Sequence, residues 1–267
     1  GSIDKQLEGL NKNDDDYFVN VQKAVEDHGI ESSVCKVVSS EALAYNVDEG
    51  VQILGGAGFI EEYEMAGMYR DERINRIFEG TNEINRMIVG GYTLKKAILE
   101  DIPIRDLIID REINWIPETN ISDDEPLKKE SEVVEFSRSA MAYTLNELIL
   151  KYGQDFKNEQ WLLEPFADVV ISVCILDSGF KRYNKLEDGI HKNEVREVLL
   201  YSVADQYEAL LKNVSDILAF LDSLDEYSIR MDKLKKWVNE LNYSSNKIAL
   251  KRSIASTLFK HKKYYLD

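Results

Sequence analysis

The stretch Arg76-Ile-Phe-Glu-Gly-Thr-Asn-Glu-Ile-Asn-Arg86 sets an acid, Glu79, between two apolar residues and a Gly-Thr pair, just before a helical spacing resumes. A carboxylate at such a point is either a solvated turn residue or a base held where water is scarce. Thr81 has the chemistry of a helix N-cap, with Ile84 as an early apolar anchor, and the amides of a helix start favour negative charge. Ile84, Met87, Ile88, Tyr92 and Ile98 then recur with the three-to-four residue period of a helix over Asn82–Leu99.

Moving toward the N-terminus, the periodicity predicts a short helix over Glu62–Arg73, preceded by the glycine run Gly55-Gly56-Ala57-Gly58. The glycines should stop a helix that Ser32 or Ser33 caps and that carries Val34, Val37, Val38, Ala42, Tyr45 and Val51 on one side. A further amphipathic helix is expected over 16–28, ended near Gly29. Because no strand precedes the glycine run, it is not a dinucleotide-binding fingerprint. A tight turn with close packing is its readier explanation, and its exposed amides could still receive an anionic group such as a pyrophosphate. Tyr69-Arg70-Asp71-Glu72-Arg73 supplies charges for ion pairs between the glycine run and Glu79.

Toward the C-terminus, Pro103, Pro117 and Pro126 with the acidic run Ser122-Asp123-Asp124-Glu125 mark a connection. Beyond it Val133, Phe136, Ala140, Met141, Leu145, Leu148 and Ile149 trace one helix face. The span Trp161–Tyr183 is apolar nearly all round, as a buried helix is. Val195, Leu199, Val203, Tyr207, Leu210, Val214, Ile217 and Leu221 trace a helix of about nine turns. Two more helices are expected around 226–241 and 244–260. With four prolines and no strand signal, the chain reads as all-α: a helical domain over 1–102, a linker over 103–126 and a second helical bundle over 127–267.

Composition narrows the function classes. Against 49 acidic residues stand 33 Lys and Arg, a formal net charge of −16, which argues against nucleic acid or an anionic membrane as partner. The basic tail Lys260-His261-Lys262-Lys263 reads as a solvated helix end. The apolar run Val169–Leu176 is broken by Ser172 and falls well short of the roughly 20 residues a bilayer span needs. Cys35 and Cys174 lie in apolar helical patterns and read as buried reduced thiols, in keeping with a cytosolic protein. The histidines, His28, His191 and His261, are scattered, so no metal site is expected. Gly1-Ser2 reads as a scar of tag removal.

Three segments in combination resemble the C-terminal helical domain of acyl-CoA dehydrogenases: Gln52-x-x-Gly-Gly-x-Gly-Phe59, Tyr69-Arg-Asp-x-Arg-Ile74, and Arg76-Ile-Phe-Glu-Gly-Thr-Asn-Glu-Ile-x-Arg86. The resemblance runs from about Ile30 to Leu99, and the helical extension has the layout of the very-long-chain branch and its bacterial relatives. It implies that Glu79 is the base that removes the α-proton of a fatty acyl-CoA. The β-hydride passes to FAD, trans-2-enoyl-CoA is formed in β-oxidation, and electrons leave to an electron-transferring flavoprotein. It also implies that the Glu79 N–H polarises the thioester carbonyl, that Gly80 lets the acyl chain pass, and that Gln52, Ile53, Leu54, Gly55 and Gly56 reach the FAD of a neighbouring subunit. Thr81 and Glu83 are implied as further flavin contacts. Phe78 is expected to help desolvate the base and raise its pKa. The implied state is a homo-oligomer in a bacterial cytosol.

The sequence departs from the family pattern at Glu64-Met65-Ala66-Gly67, where Gly67 replaces an expected cation. Nothing in it resembles the family's other helical domain or its β-domain, so the chain reads as a fragment, inactive alone and without its own FAD. The alternative is a catalytically silent helical module that serves oligomerisation on the same scaffold.

Overall fold

The structure, a computed structural model, describes residues 7–8, 16–102, 104, 127–187, 189–225 and 229–263. Among the described residues every regular element is helical, which bears out the all-α reading. The expected linker, with Pro103, Pro117, Pro126 and the run Ser122–Glu125, lies outside the described residues apart from Ile104. The chain divides into two compact units, residues 1–96 and 97–267.

In the first unit the helices are α1 (Tyr17–Asp27), α2 (Gly29–Leu54), the single turn α3 (Gly56–Phe59), α4 (Glu64–Arg73) and α5 (Asn82–Ile98), with a 3-10 turn at Ile74–Arg76. Gly29 opens α2 instead of ending α1: its missing Cβ makes room for the Tyr92 ring, which a Cβ there would meet at 2.7 Å. The expected caps Ser32 and Ser33 therefore sit inside α2, where the Ser32 hydroxyl donates to the His28 carbonyl. The stop at Gly55 is as expected, at φ 59°.

The inward face of α2 is narrower than its apolar spacing suggests. Val34, Val37 and Val47 are buried with Ser33 and Ser40, while Ala42 and Tyr45 face solvent. Cys35, read as a buried thiol, is exposed because it lies about 100° round the helix from Val34. Packing of α2 is mainly against α4 and α3. The core of this unit is polar for its size, with Ser33, Ser40, Glu72, Asn82, Asn85 and Thr93 all buried. Meanwhile Ile53, Phe59, Ile60, Tyr63, Met68, Ile77, Phe78 and Ile84 are exposed.

The second unit holds α6 (Lys128–Tyr152), a 3-10 segment (Gly153–Asn158), α7 (Gln160–Asn184), α8 (Ile190–Ser223), α9 (Arg230–Leu241) and α10 (Lys247–His261). At 1.5 Å per residue α8 is about 51 Å long. It packs against α6, α7, α9 and α10, as its continuous apolar face requires. Phe136, Phe156, Phe166, Leu145, Leu148, Leu176, Leu210, Ile217 and Leu221 are fully buried, and edge-to-face ring pairs such as Tyr143–Trp237, with centroids 5.1 Å apart, fill the remaining space. Arg230 joins three helices: it donates to Glu147 of α6 at 2.6 Å, to Asp222 of α8 at 3.3 Å and to Asp225 just beyond α8 at 2.7 Å.

Candidate active site

Glu79 sits at the end of a tightly wound approach. The amides of Ile77 and Phe78 both donate to the Ile74 carbonyl, at 2.9 and 3.0 Å, so the chain arrives at Glu79 in a helical curl. Two left-handed residues follow, Glu79 at φ 54° and Gly80 at φ 82°. Only glycine adopts the second angle freely, and a Cβ on Gly80 would also press on Asn85 Nδ2 at 3.2 Å. The first angle is uncommon for a residue with a side chain.

What holds the turn is a polar cluster that sequence reasoning missed. Lys36 of α2 donates to the Gly80 carbonyl at 2.8 Å and to Asn82 Oδ1 at 2.6 Å. Asn85 donates to the same carbonyl at 2.9 Å and to that of Thr81 at 3.1 Å. The buried Asn82 amide donates to Ser40 at 3.0 Å and to Glu41 at 3.1 Å, and Arg86 grips both Glu41 oxygens at 2.7 and 3.1 Å. Burial alone would raise the Glu41 carboxyl, but the bonds and charge of Arg86, with Asn82 and Arg76, outweigh it and hold the group below its ordinary 4.5. Arg86 belongs to the opening motif. Lys36 and Ser40 lie one helical turn apart on α2, a spacing that carries no signal of its own.

The expected site residues fall into two groups. Thr81 caps α5, its hydroxyl accepting from the Ile84 amide at 3.3 Å. The Glu83 carboxyl is lowered by its own backbone N–H and then by the Thr81 hydroxyl, so Thr81 and Glu83 form one local pair beside Glu79. Gln52, Ile53, Leu54, Gly55 and Gly56 form the second group at the α2–α3 corner, and all five are exposed. Nothing lies within 4 Å of a Cβ built on Gly55 or Gly56, so that corner is an open lip.

Among the described residues none screens Glu79 from water. Glu79 is exposed, and its expected apolar screen Phe78 is itself 46% exposed. Among the described residues the Glu79 carboxylate makes no hydrogen bond or ion pair, so it is uncommitted as an acceptor. The charged run between the segments does form ion pairs, Arg70–Glu61 at 2.8 Å and Arg76 to the buried Glu72 at 3.1 Å. A groove of about 760 Å3 beside them is lined by Val51, Phe59, Ile60, Ala66 and Tyr69, and Glu79 is not part of its wall. No group of three or more His, Cys, Asp or Glu among the described residues could hold a metal ion.

Among the described residues the scaffold is all-helical and presents an acid on a clamped left-handed turn. Residues 17–92 match the family described as acyl-CoA dehydrogenase, C-terminal domain. A probable acyl-CoA dehydrogenase of Bacillus subtilis (strain 168) is 33% identical over 250 residues, covering 91% of this chain and 41% of that protein. The very long-chain specific mitochondrial acyl-CoA dehydrogenase of Rattus norvegicus is 44% identical over 70 residues, 26% of this chain and 11% of the relative. The crystal structure of an acyl-CoA dehydrogenase complexed with FAD from Bacillus anthracis superposes with a TM-score of 0.85 at 29% identity, covering 99% of this chain and 45% of that one. The chain is thus similar to acyl-CoA dehydrogenases, over their C-terminal domain at residues 17–92 and along most of its own length in the Bacillus proteins, and it spans less than half the length of these relatives.

Proposed function

We propose that this chain is the C-terminal part of an FAD-dependent acyl-CoA dehydrogenase of a bacterial cytosol, acting on fatty acyl-CoA in β-oxidation, and that Glu79 is its catalytic base. The observation that carries this reading is the conformation of the turn. The exposed Glu100 also has a left-handed backbone, at φ 61°, but what singles out Glu79 is that Lys36 and Asn85 both hold the carbonyl of the residue after it. Strain kept at one acid by a dedicated clamp is the mark of a placed functional group.

In this reading Glu79 takes the α-proton of the thioester substrate, and its own N–H stabilises the enolate-like oxygen that develops. Gly80 keeps the path of the acyl chain free of a side chain. FAD, when bound, supplies the acceptor for the β-hydride. The open lip Gln52–Gly56 suits a contact to a flavin held elsewhere, while the Thr81–Glu83 pair lines the near side of the base. Exposure of the lip and of Glu79 supports a site completed by further protein, in a homo-oligomer that hands electrons to an electron-transferring flavoprotein. Held apart from those parts, the chain should retain no flavin.

The test is Glu79→Gln in the whole enzyme that carries this chain, read by flavin bleaching on mixing with a saturated acyl-CoA. Losing a general base lowers the rate on the order of 10²–10⁴-fold with substrate binding largely kept. Glu83→Gln serves as control and should chiefly weaken flavin retention. Bleaching of Glu79→Gln at the parent rate would reject the assignment and favour the second reading, a silent oligomerisation module, for which the exposed Ile53, Phe59 and Ile84 speak.

A further inference from the structure

Lys36 places its charge where no counter-charge stands. It is half-buried on α2 and, among the described residues, pairs with no carboxylate. Its ammonium donates instead to two neutral oxygens at the turn and the helix start, the Gly80 carbonyl at 2.8 Å and Asn82 Oδ1 at 2.6 Å. Drawing an ammonium out of water without a counter-ion costs stability, so ion pairing does not account for the placement.

The aim of Lys36 is fixed by the groups behind it. Glu41 only accepts and Lys36 only donates, so one orientation of the buried Asn82 amide satisfies both. Its nitrogen faces Glu41 at 3.1 Å and Ser40 at 3.0 Å, and its oxygen faces Lys36. Glu41 is itself held by the two-pronged grip of Arg86. Asn85 reaches the Gly80 carbonyl from α5 and follows any movement of that helix, whereas Lys36 ties the turn to α2. A hydrogen bond from a charged donor outweighs the cost of one left-handed residue, so Lys36 can hold Glu79 in a turn that would otherwise relax.

We propose that Lys36 is a positioning residue for the proton transfer, an inference that rests on the reading of Glu79 as the base. Acting through the Gly80 carbonyl, it keeps the Glu79 carboxylate and N–H in one place relative to α2, and Asn82 aims it. Lys36 touches neither substrate nor flavin in this role. Displacing a reacting group by about 1 Å lowers a rate on the order of 10²-fold, so the bond should count in turnover far more than in binding.

Lys36→Met keeps an unbranched stem and removes the donors. In the whole enzyme that carries this chain, flavin bleaching by a saturated acyl-CoA should slow about 10- to 100-fold at saturating substrate, with the half-saturating concentration changed by less than about twofold. Lys36→Arg restores a charged donor and should recover part of the rate. Asn82→Ala added to Lys36→Met should slow it no further, because Asn82 acts through Lys36. Lys95→Met, which only breaks a surface pair with Glu26 at 3.6 Å, should leave the rate unchanged.

Urea unfolding of the purified chain gives a readout free of flavin, with circular dichroism as the check that each variant is folded. Glu79→Gly should raise the midpoint in the parent background and fail to raise it beside Lys36→Met, where the turn has already relaxed. A Lys36→Met enzyme at the parent rate overturns the proposal, as does a loss confined to half-saturation or a Lys36→Arg enzyme no faster than Lys36→Met. Additive rate losses from Asn82→Ala and Lys36→Met, or an equal gain from Glu79→Gly in both backgrounds, overturn it too. Bleaching of Glu79→Gln at the parent rate removes the base and this role with it. A slow Glu79→Gln enzyme beside a fast Lys36→Met enzyme leaves the base standing and removes the role of Lys36 alone.

Discussion

Glu79 occupies a conformation that a glycine would adopt without strain, and this separates stability from function at a single residue. The left-handed region costs an L-residue roughly 1–2 kcal/mol, partly offset in a glycine variant by the greater freedom of its unfolded chain. Glu79→Gly should therefore raise the stability of the first unit by up to about 1 kcal/mol while removing the proposed base. Thermal or urea unfolding of the chain would show it, and a lowered midpoint would mean that the turn is unstrained. The acid and its glycine were readable in the sequence because they are neighbours in a specific motif. The clamp was not, since Lys36 stands 44 residues from the carbonyl it holds and only folding brings α2 to that carbonyl.

At the scale of elements, two glycines make opposite predictions. Gly67 is exposed within α4 and a Cβ there meets nothing within 4 Å, so Gly67→Ala should stabilise by about 0.5–1 kcal/mol through helix propensity. Gly58 is buried, and a Cβ there would lie 2.8 Å from the Val51 carbonyl oxygen and 2.9 Å from Leu54 Cβ. Gly58→Ala must push α3 off α2 and should destabilise by about 1–3 kcal/mol. Urea midpoints for both variants, which should move in opposite directions, check the pair. Period alone located the long helices of the second unit well, because a large apolar core enforces it. It misjudged α2, where the buried face is two serines and three valines and the start is set by the fit of Gly29 to Tyr92.

For the whole molecule, charge decides more than its net value suggests. From the start of α9, Arg230 ties together Glu147 of α6, Asp222 of α8 and Asp225 just beyond α8. Arg230→Ala would strand Glu147 and Asp222 among like charges and should cost about 3 kcal/mol in the second unit. Chemical denaturation with Trp237 fluorescence as the probe measures it, and a loss below about 0.5 kcal/mol would show the cluster to be ornamental. Acid should act on both units. Glu41 in the first and Asp225 in the second have lowered pKa values, Glu41 by Arg86 against its own desolvation and Asp225 by Lys151 and Arg230. A carboxyl lowered in the folded state adds stability that is fully present above its unfolded value, here 4.5 and 3.8, and is lost as pH falls through the folded value. Unfolding midpoints should thus be flat above about pH 5 and decline below it. A decline beginning near neutrality would contradict the assignment.

α10 packs on α8 without fully burying any residue, so polar contacts carry a larger share of its attachment than in α6 to α9. An element anchored by burial leaves only when the core breaks, whereas one held by Lys247, Ser253 and His261 can lift away while α6 to α9 stay closed. Its opening belongs to the lowest rung of local unfolding, and it is graded by ionic strength instead of by denaturant-exposed area. α10 should therefore exchange its amide hydrogens faster than α6 to α9, and increasingly so as salt is added; protection equal to that of α8 would contradict this.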